Sequence, residues 1–218
     1  MGLFSKNKAK AVKTTSASSR NKTYYLRENQ LSTKKDFSNI FELSPEDKSF
    51  KGKINTEISV AGIPLSEITP ERVIEELDSP SFVLDNSDEV PGHIVYYYRQ
   101  TADLIKFLIQ FHFINDKCIF VNNSISATGI SLTNEDKIKV LNKLFLLYKI
   151  KEKREENNFL IFLTDPFGNI IYTNDTVNLY INYVARPETL EFAKKYINEN
   201  QTEEINKDEF DDALGKFL

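Results

Sequence analysis

Two stretches of this chain spell nearly the same structural phrase. "INTEISVAGIPLSEITPERVIEEL" (Ile54 to Leu77) and "VNNSISATGISLTNEDKIKVLNKL" (Val121 to Leu144) lie 67 residues apart and share eight of 24 positions. The shared residues are Asn55/Asn122, Ile58/Ile125, Ser59/Ser126, Gly62-Ile63/Gly129-Ile130, Leu65/Leu132, Val73/Val140 and Leu77/Leu144. They fall on a strand, a hinge glycine and the apolar stripe of a helix, the positions that set a backbone path. Reactive side chains are not repeated. The pattern therefore predicts a doubled scaffold, with function on the surface that the two copies do not share.

Between and after the copies the periodicity is that of strands. In "DLIKFLIQFHFI", Ile105, Phe107, Ile109, Phe111 and Phe113 alternate with Lys106, Leu108, Gln110, His112 and Ile114, as a strand with two distinct faces requires. Asn115-Asp116-Lys117 makes a tight turn into "CIFVNNSISATG". "FVLDN" and "HIVYYYRQ" read as strands before it. The parity of Tyr96-Tyr97-Tyr98 stays open, because either choice leaves a tyrosine outward. "FLIFLTDPFGNIIYTND" is a hairpin turning at Asp165-Pro166-Phe167-Gly168-Asn169, and "TVNLYINYVA" alternates once more. The earlier "SFKGKINTEISVAG" reads as a strand through Ile54, Ile58 and Val60.

The helices carry their own signals. Thr69 is placed to cap a helix with Pro70 at its first position and Val73, Ile74 and Leu77 on its stripe. "LTNEDKIKVLNKLFLLYKI" repeats Ile138, Leu141, Leu144, Phe145 and Tyr148 at helical spacing, capped by Thr133 or Asn134. A further helix is expected from about Pro187 to Glu199, and an acidic amphipathic one from Lys207 to Leu218.

These elements predict an α+β protein of two tandem helix-plus-antiparallel-sheet units, spanning residues 36–128 and 129–186, with C-terminal helices and an acidic linker over 187–218. Residues 1–35 carry nine Lys/Arg against one Glu. Their Lys-, Ser- and Thr-rich start has few residues that could enter a core, so 1–35 reads as a disordered basic arm.

Composition narrows the chemistry. One cysteine, Cys118, excludes an internal disulfide and any multi-cysteine zinc site. Its apolar neighbours in "KCIFV" predict a buried, inert thiol. No apolar run is long enough for a membrane span, and the expected location is the cytoplasm. There is no glycine-rich phosphate loop, H-E-x-x-H, C-x-x-C or G-x-S-x-G, and no cofactor is implied.

The phrase S-x-x-x-T-P-E-x-V-x-x-x-L-x-x-P (Ser66 to Pro80), followed by antiparallel strands and then written again, resembles the tandem helix-plus-sheet units of the β-lactamase-inhibitor-protein fold. The F-x-G-x-I opening at Phe50 to Ile54 is similar to that of α+β bacterial toxin-immunity proteins. The resemblance spans about residues 50–186. It implies a non-enzymatic protein that binds another protein with the open face of its sheet.

The residues themselves point the same way. The sheet face opposite the core is expected to carry Tyr97, Arg99, Lys106, Gln110, His112, Asn178, Tyr180 and Asn182. Large amphipathic rings and adaptable amides are what a protein-binding surface uses. Two alternatives remain at this level. His112, with Asp116 or Asp165 from hairpin turns, could build a small hydrolytic or metal-dependent site. The basic arm could contact anionic membrane or nucleic acid.

Overall fold

The computed structural model describes residues 19–129, 131–151 and 158–200. Its centre is one eight-stranded sheet with helices on both faces, an α+β architecture. The chain enters through α1 (Ser19–Glu28) and α2 (Lys34–Phe41). A short strand β1 (Phe50–Lys53), a two-stranded ribbon of β2 (Ser59–Val60) and β3 (Ile63–Pro64), and helix α3 (Pro70–Leu77) follow. A meander comes next: β4 (Phe82–Asp85), β5 (His93–Ala102), β6 (Ile105–Ile114) and β7 (Lys117–Ala127). Helix α4 (Asn134–Leu147) then leads to β8 (Ile161–Thr164), β9 (Ile170–Asp175) and β10 (Leu179–Val184). A fifth helix, α5, begins at 187 and runs through 200.

The sheet order is β1-β8-β9-β10-β7-β6-β5-β4. The two meanders meet at the antiparallel β7/β10 pair, where Asn122 faces Asn182 and Val121 faces Tyr183. The units expected from sequence thus share one sheet. The β1/β8 edge pair is parallel; every other pair in the large sheet is antiparallel.

Local chemistry explains the element ends. Thr69 accepts from the Arg72 amide and Pro70 opens α3. Thr133 does the same for α4 through the Asp136 amide. Asn115 (φ 45°) and Asp116 (φ 63°) both occupy the left-handed region between β6 and β7, the geometry of a two-residue hairpin turn whose twist matches the strands. Gly62 and Gly129, the paired hinges of the repeated phrase, both have positive φ, 87° and 78°.

One face of the sheet packs on α3 and α4 around Phe111, Phe113, Val121, Ile161, Leu163, Ile171 and Leu179. The other packs Ile114, Ile119, Phe120 and Val184 against Phe37 and Ile40 of α2 and Ala193 and Ile197 of α5. Beside it, Tyr25 of α1 sits against Phe82, Val95 and Tyr97. Each large apolar side chain buried here contributes about 1.5–3 kcal/mol.

Three expectations change. The second sheet face is not open, because α1, the α1–α2 linker, α2 and α5 lie on it. Residues 19–35 are ordered, not part of a free arm: Tyr25 and Leu31 are buried, and Thr33 and Asp36 form a reciprocal capping box. Residues 1–18 and the expected helix over Lys207–Leu218 lie outside the described residues. Finally, the strand expected through Ile54, Ile58 and Val60 divides. The Asp165 carboxylate accepts from the Ile58 amide, and Tyr148 exchanges hydrogen bonds with both backbone groups of Ser59. These contacts turn the chain off the sheet, so the first copy of the phrase makes a ribbon where the second makes β7.

Candidate functional site

Seven of the eight expected residues sit at strand positions of one parity, and Asn178 lies in the bend just before β10. Strand pairing aligns Tyr97, Gln110, Asn122 and Asn182 in one row across β5, β6, β7 and β10. Arg99, Leu108, Ser124 and Tyr180 form the next row. The parity left open in the tyrosine run is also decided: Tyr97 takes this face, while Tyr98 belongs to the α3/α4 core.

Accessibility divides the set. Tyr97 is fully buried and its hydroxyl donates to the Tyr25 carbonyl (2.9 Å). Gln110, His112 and Asn182 are also buried. Burial puts Tyr97, Gln110 and His112 out of a partner's reach. Arg99 and Lys106 are exposed. Arg99 lies over the rings of Tyr24 (4.3 Å) and Tyr25 (5.0 Å), a cation–π contact. Asn178 and Tyr180 are half-buried, with the Asn178 amide reaching the Tyr180 hydroxyl at 3.5 Å.

Where the cover stops, a cleft of about 350 Å³ opens between α2 and the β9–β10 strands. Asp36, Asn39 and Ile40 of α2 form one wall and Gln30 and Leu31 of the linker another. The floor is Phe120, Tyr172, Asn174, Thr176, Tyr180 and Asn182. Of the expected residues only Tyr180 and Asn182 line it. Sequence reasoning missed Asn122, Asn174 and Tyr172, although a strand-disfavoured asparagine at polar parity in β7, β9 and β10 was a usable signal.

Buried amides connect the cleft to the linker. The Gln30 amide N–H donates to Gln110 Oε1 (3.2 Å), and Gln110 Nε2 donates to the Glu28 carbonyl (2.8 Å). The same Nε2 reaches Asn122 Oδ1 (3.4 Å). Asn122 Nδ2 donates to Asn182 Oδ1 (2.8 Å), and Asn182 Nδ2 to Asn174 Oδ1 (3.2 Å). A buried polar row of this kind is tolerated because its members satisfy one another.

A second polar chain holds the linker from the other side. Asn86 Nδ2 donates to the Ser32 carbonyl (3.1 Å) and meets His93 Nδ1 at 3.0 Å. His93 Nε2 lies 3.2 Å from His112 Nδ1. Both rings are fully buried. Burial lowers the His93 pKa to about 3, partly offset by the Asp85 charge. Burial and the neighbouring His93 push His112 well down too. With Asn86 donating, the His93 Nε2–H donates to His112, which leaves the His112 Nε2–H without a partner.

This arrangement bears on the enzymatic alternative. His112 hydrogen-bonds to His93 and to no carboxylate among the described residues, and substrate has no path to it. Asp165 is spent on the amides of Ile58, Phe167 and Asn169, and Asp116 sits exposed in its turn. Burial raises the Cys118 thiol to about 12, so it is not a nucleophile. Among the described residues no group of three or more His, Cys, Asp or Glu is placed to hold a metal ion, and no helix is long and apolar enough to cross a membrane. No protein-family model, curated protein or solved structure matches this chain.

Proposed function

We propose that this chain is a non-enzymatic protein-binding module of the immunity or inhibitor kind. It uses the uncovered part of its polar, tyrosine-bearing sheet face. The observation that carries this reading is the cleft with its rim. Tyr172, Tyr180, Asn174 and Asn178 lie together at the edge of the helical cover, while both histidines and the cysteine are sealed. Accessible tyrosine and asparagine supply contact area and adaptable hydrogen bonds at a small entropic cost. Sealed imidazoles and a protonated thiol supply no general base or nucleophile.

The test is capture of partners by the full chain and by a triple variant carrying Tyr172→Ser, Asn178→Ala and Tyr180→Ser. A partner held by the parent and released by the variant, with the melting temperature of the fold kept, is the expected result. If every captured protein stays bound to the triple variant, the reading is wrong.

A further inference from the structure

The direction of the amide row has a chemical consequence at its open end. An asparagine or glutamine amide can face either way, and its neighbours decide which. Here the decision is made at Gln110 by main-chain groups. Its oxygen must accept from the Gln30 N–H, and its nitrogen must donate to the Glu28 carbonyl. Neither backbone group can reverse. Asn122 must therefore turn its oxygen to Gln110 and its nitrogen to Asn182, which passes the same polarity to Asn174. Asn174 spends its oxygen on Asn182, so its NH2 group is left for the cleft it lines, without a partner among the described residues.

The facing wall has the opposite character. Asp36 uses Oδ2 to accept from the amides of Ser32 and Thr33 and from the Thr33 hydroxyl. Its charge is compensated there by these donors and by the start of α2. Among the described residues Oδ1 accepts no hydrogen bond, and no lysine or arginine lines the cleft.

We infer that the cleft is a socket for an uncharged amide, the side chain of a glutamine or asparagine on the partner's surface. The inference rests on the protein-binding reading above and names what that site recognises. A carboxamide offers a carbonyl oxygen to Asn174 and N–H groups to Asp36 and Asn39. A carboxylate sets acceptor against acceptor at Asp36 Oδ1 and finds no cation in the described lining. An ammonium leaves the Asn174 donors facing another donor.

The test is a titration of the isotopically labelled full chain, following the side-chain amide signals of Asn174 and Asn182 by NMR. The probes are the N-acetyl, N′-methylamide derivatives of glutamine, glutamate and lysine. The glutamine probe is expected to give saturable shifts at Asn174, with the other two binding at least about tenfold more weakly. Asn174→Asp, an exposed and nearly isosteric change, is expected to weaken the glutamine probe by about tenfold, the scale of one hydrogen bond in a site that cannot otherwise satisfy its ligand. Asn182→Asp offers acceptors to both neighbours and turns the Asn174 amide round, and it is expected to lower the same affinity.

Absence of a saturable shift with the glutamine probe overturns the inference. So does equal binding of the glutamate or lysine probe, or an Asn174→Asp variant that binds like the parent. These outcomes separate from failure of the broader reading. If partners are released by the triple variant but the glutamine probe never binds, the socket is wrong and the protein-binding surface stands. If the probe binds as described but the triple variant keeps every partner, the surface is wrong and the socket stands.

Discussion

His93 and His112 lie in full burial, 3.2 Å apart, with only neutral hydrogen bonds. An unfolded histidine takes a proton near pH 6.5. In the folded chain burial holds His93 at about 3 and His112 well below its ordinary value. Above pH 6.5 neither state binds the proton and stability is level. Below it the unfolded state gains protons that the folded state refuses, so stability falls as pH falls, by up to about 1.4 kcal/mol per pH unit for each histidine. Urea unfolding from pH 7.5 to 4.5 is expected to show this slope, and His112→Leu to make it markedly shallower. An unchanged slope in the variant would contradict the account. Asn122 offers a second test at the same scale. Asn122→Leu strands the Asn182 oxygen in a buried site and removes one acceptor of Gln110. The expected cost is about 1–3 kcal/mol in urea unfolding, the penalty of a buried polar group left unpaired.

At the scale of elements, the β6–β7 hairpin places Asn115 and Asp116 in the left-handed region, which glycine occupies without penalty. Asp116→Gly completes the Asn-Gly pair favoured in such turns. A gain of about 0.5–1 kcal/mol is expected, read as a higher melting temperature; a loss would mean that the Asp116 side chain holds the turn in another way. Phe37 is the matching test for α2. It is buried and meets the His93 ring edge-on at 4.9 Å. Phe37→Ala is expected to cost about 3–5 kcal/mol, whereas Leu26→Ala, at a position 42% exposed on α1, should stay within about 0.5 kcal/mol. Similar costs for the two would argue against α2 as a packed part of the fold. The caps of α3 and α4 were legible at Thr69 and Thr133, since each needs only residues three apart, whereas α2 and its Thr33–Asp36 capping box were hidden in a stretch read as a free arm. The docking of α1 and of the linker after it was not legible, because Tyr25 and Leu31 stand in a largely polar, basic stretch and only the strands they cover explain their burial.

At the scale of the whole molecule, the β7/β10 pair joins both units and one core runs beneath them. Unfolding is therefore expected as one transition, with calorimetric and van't Hoff enthalpies equal. A chain divided after residue 129 should leave neither half folded alone, and two separable transitions would contradict this.

Alternation alone puts Tyr97, Arg99, Lys106, Gln110, His112, Tyr180 and Asn182 on one side of the sheet, because side chains along a strand alternate whatever the strand pairs with. Which of them meet solvent does not follow from alternation. Burial belongs to the packing of segments far apart in the chain, and here the N-terminal helices and α5 cover Tyr97, Gln110, His112 and Asn182 while leaving a cleft beside Tyr180. The same long-range packing orients the amide row, since its polarity starts at the main chain of Glu28 and Gln30, some 80 residues from Gln110.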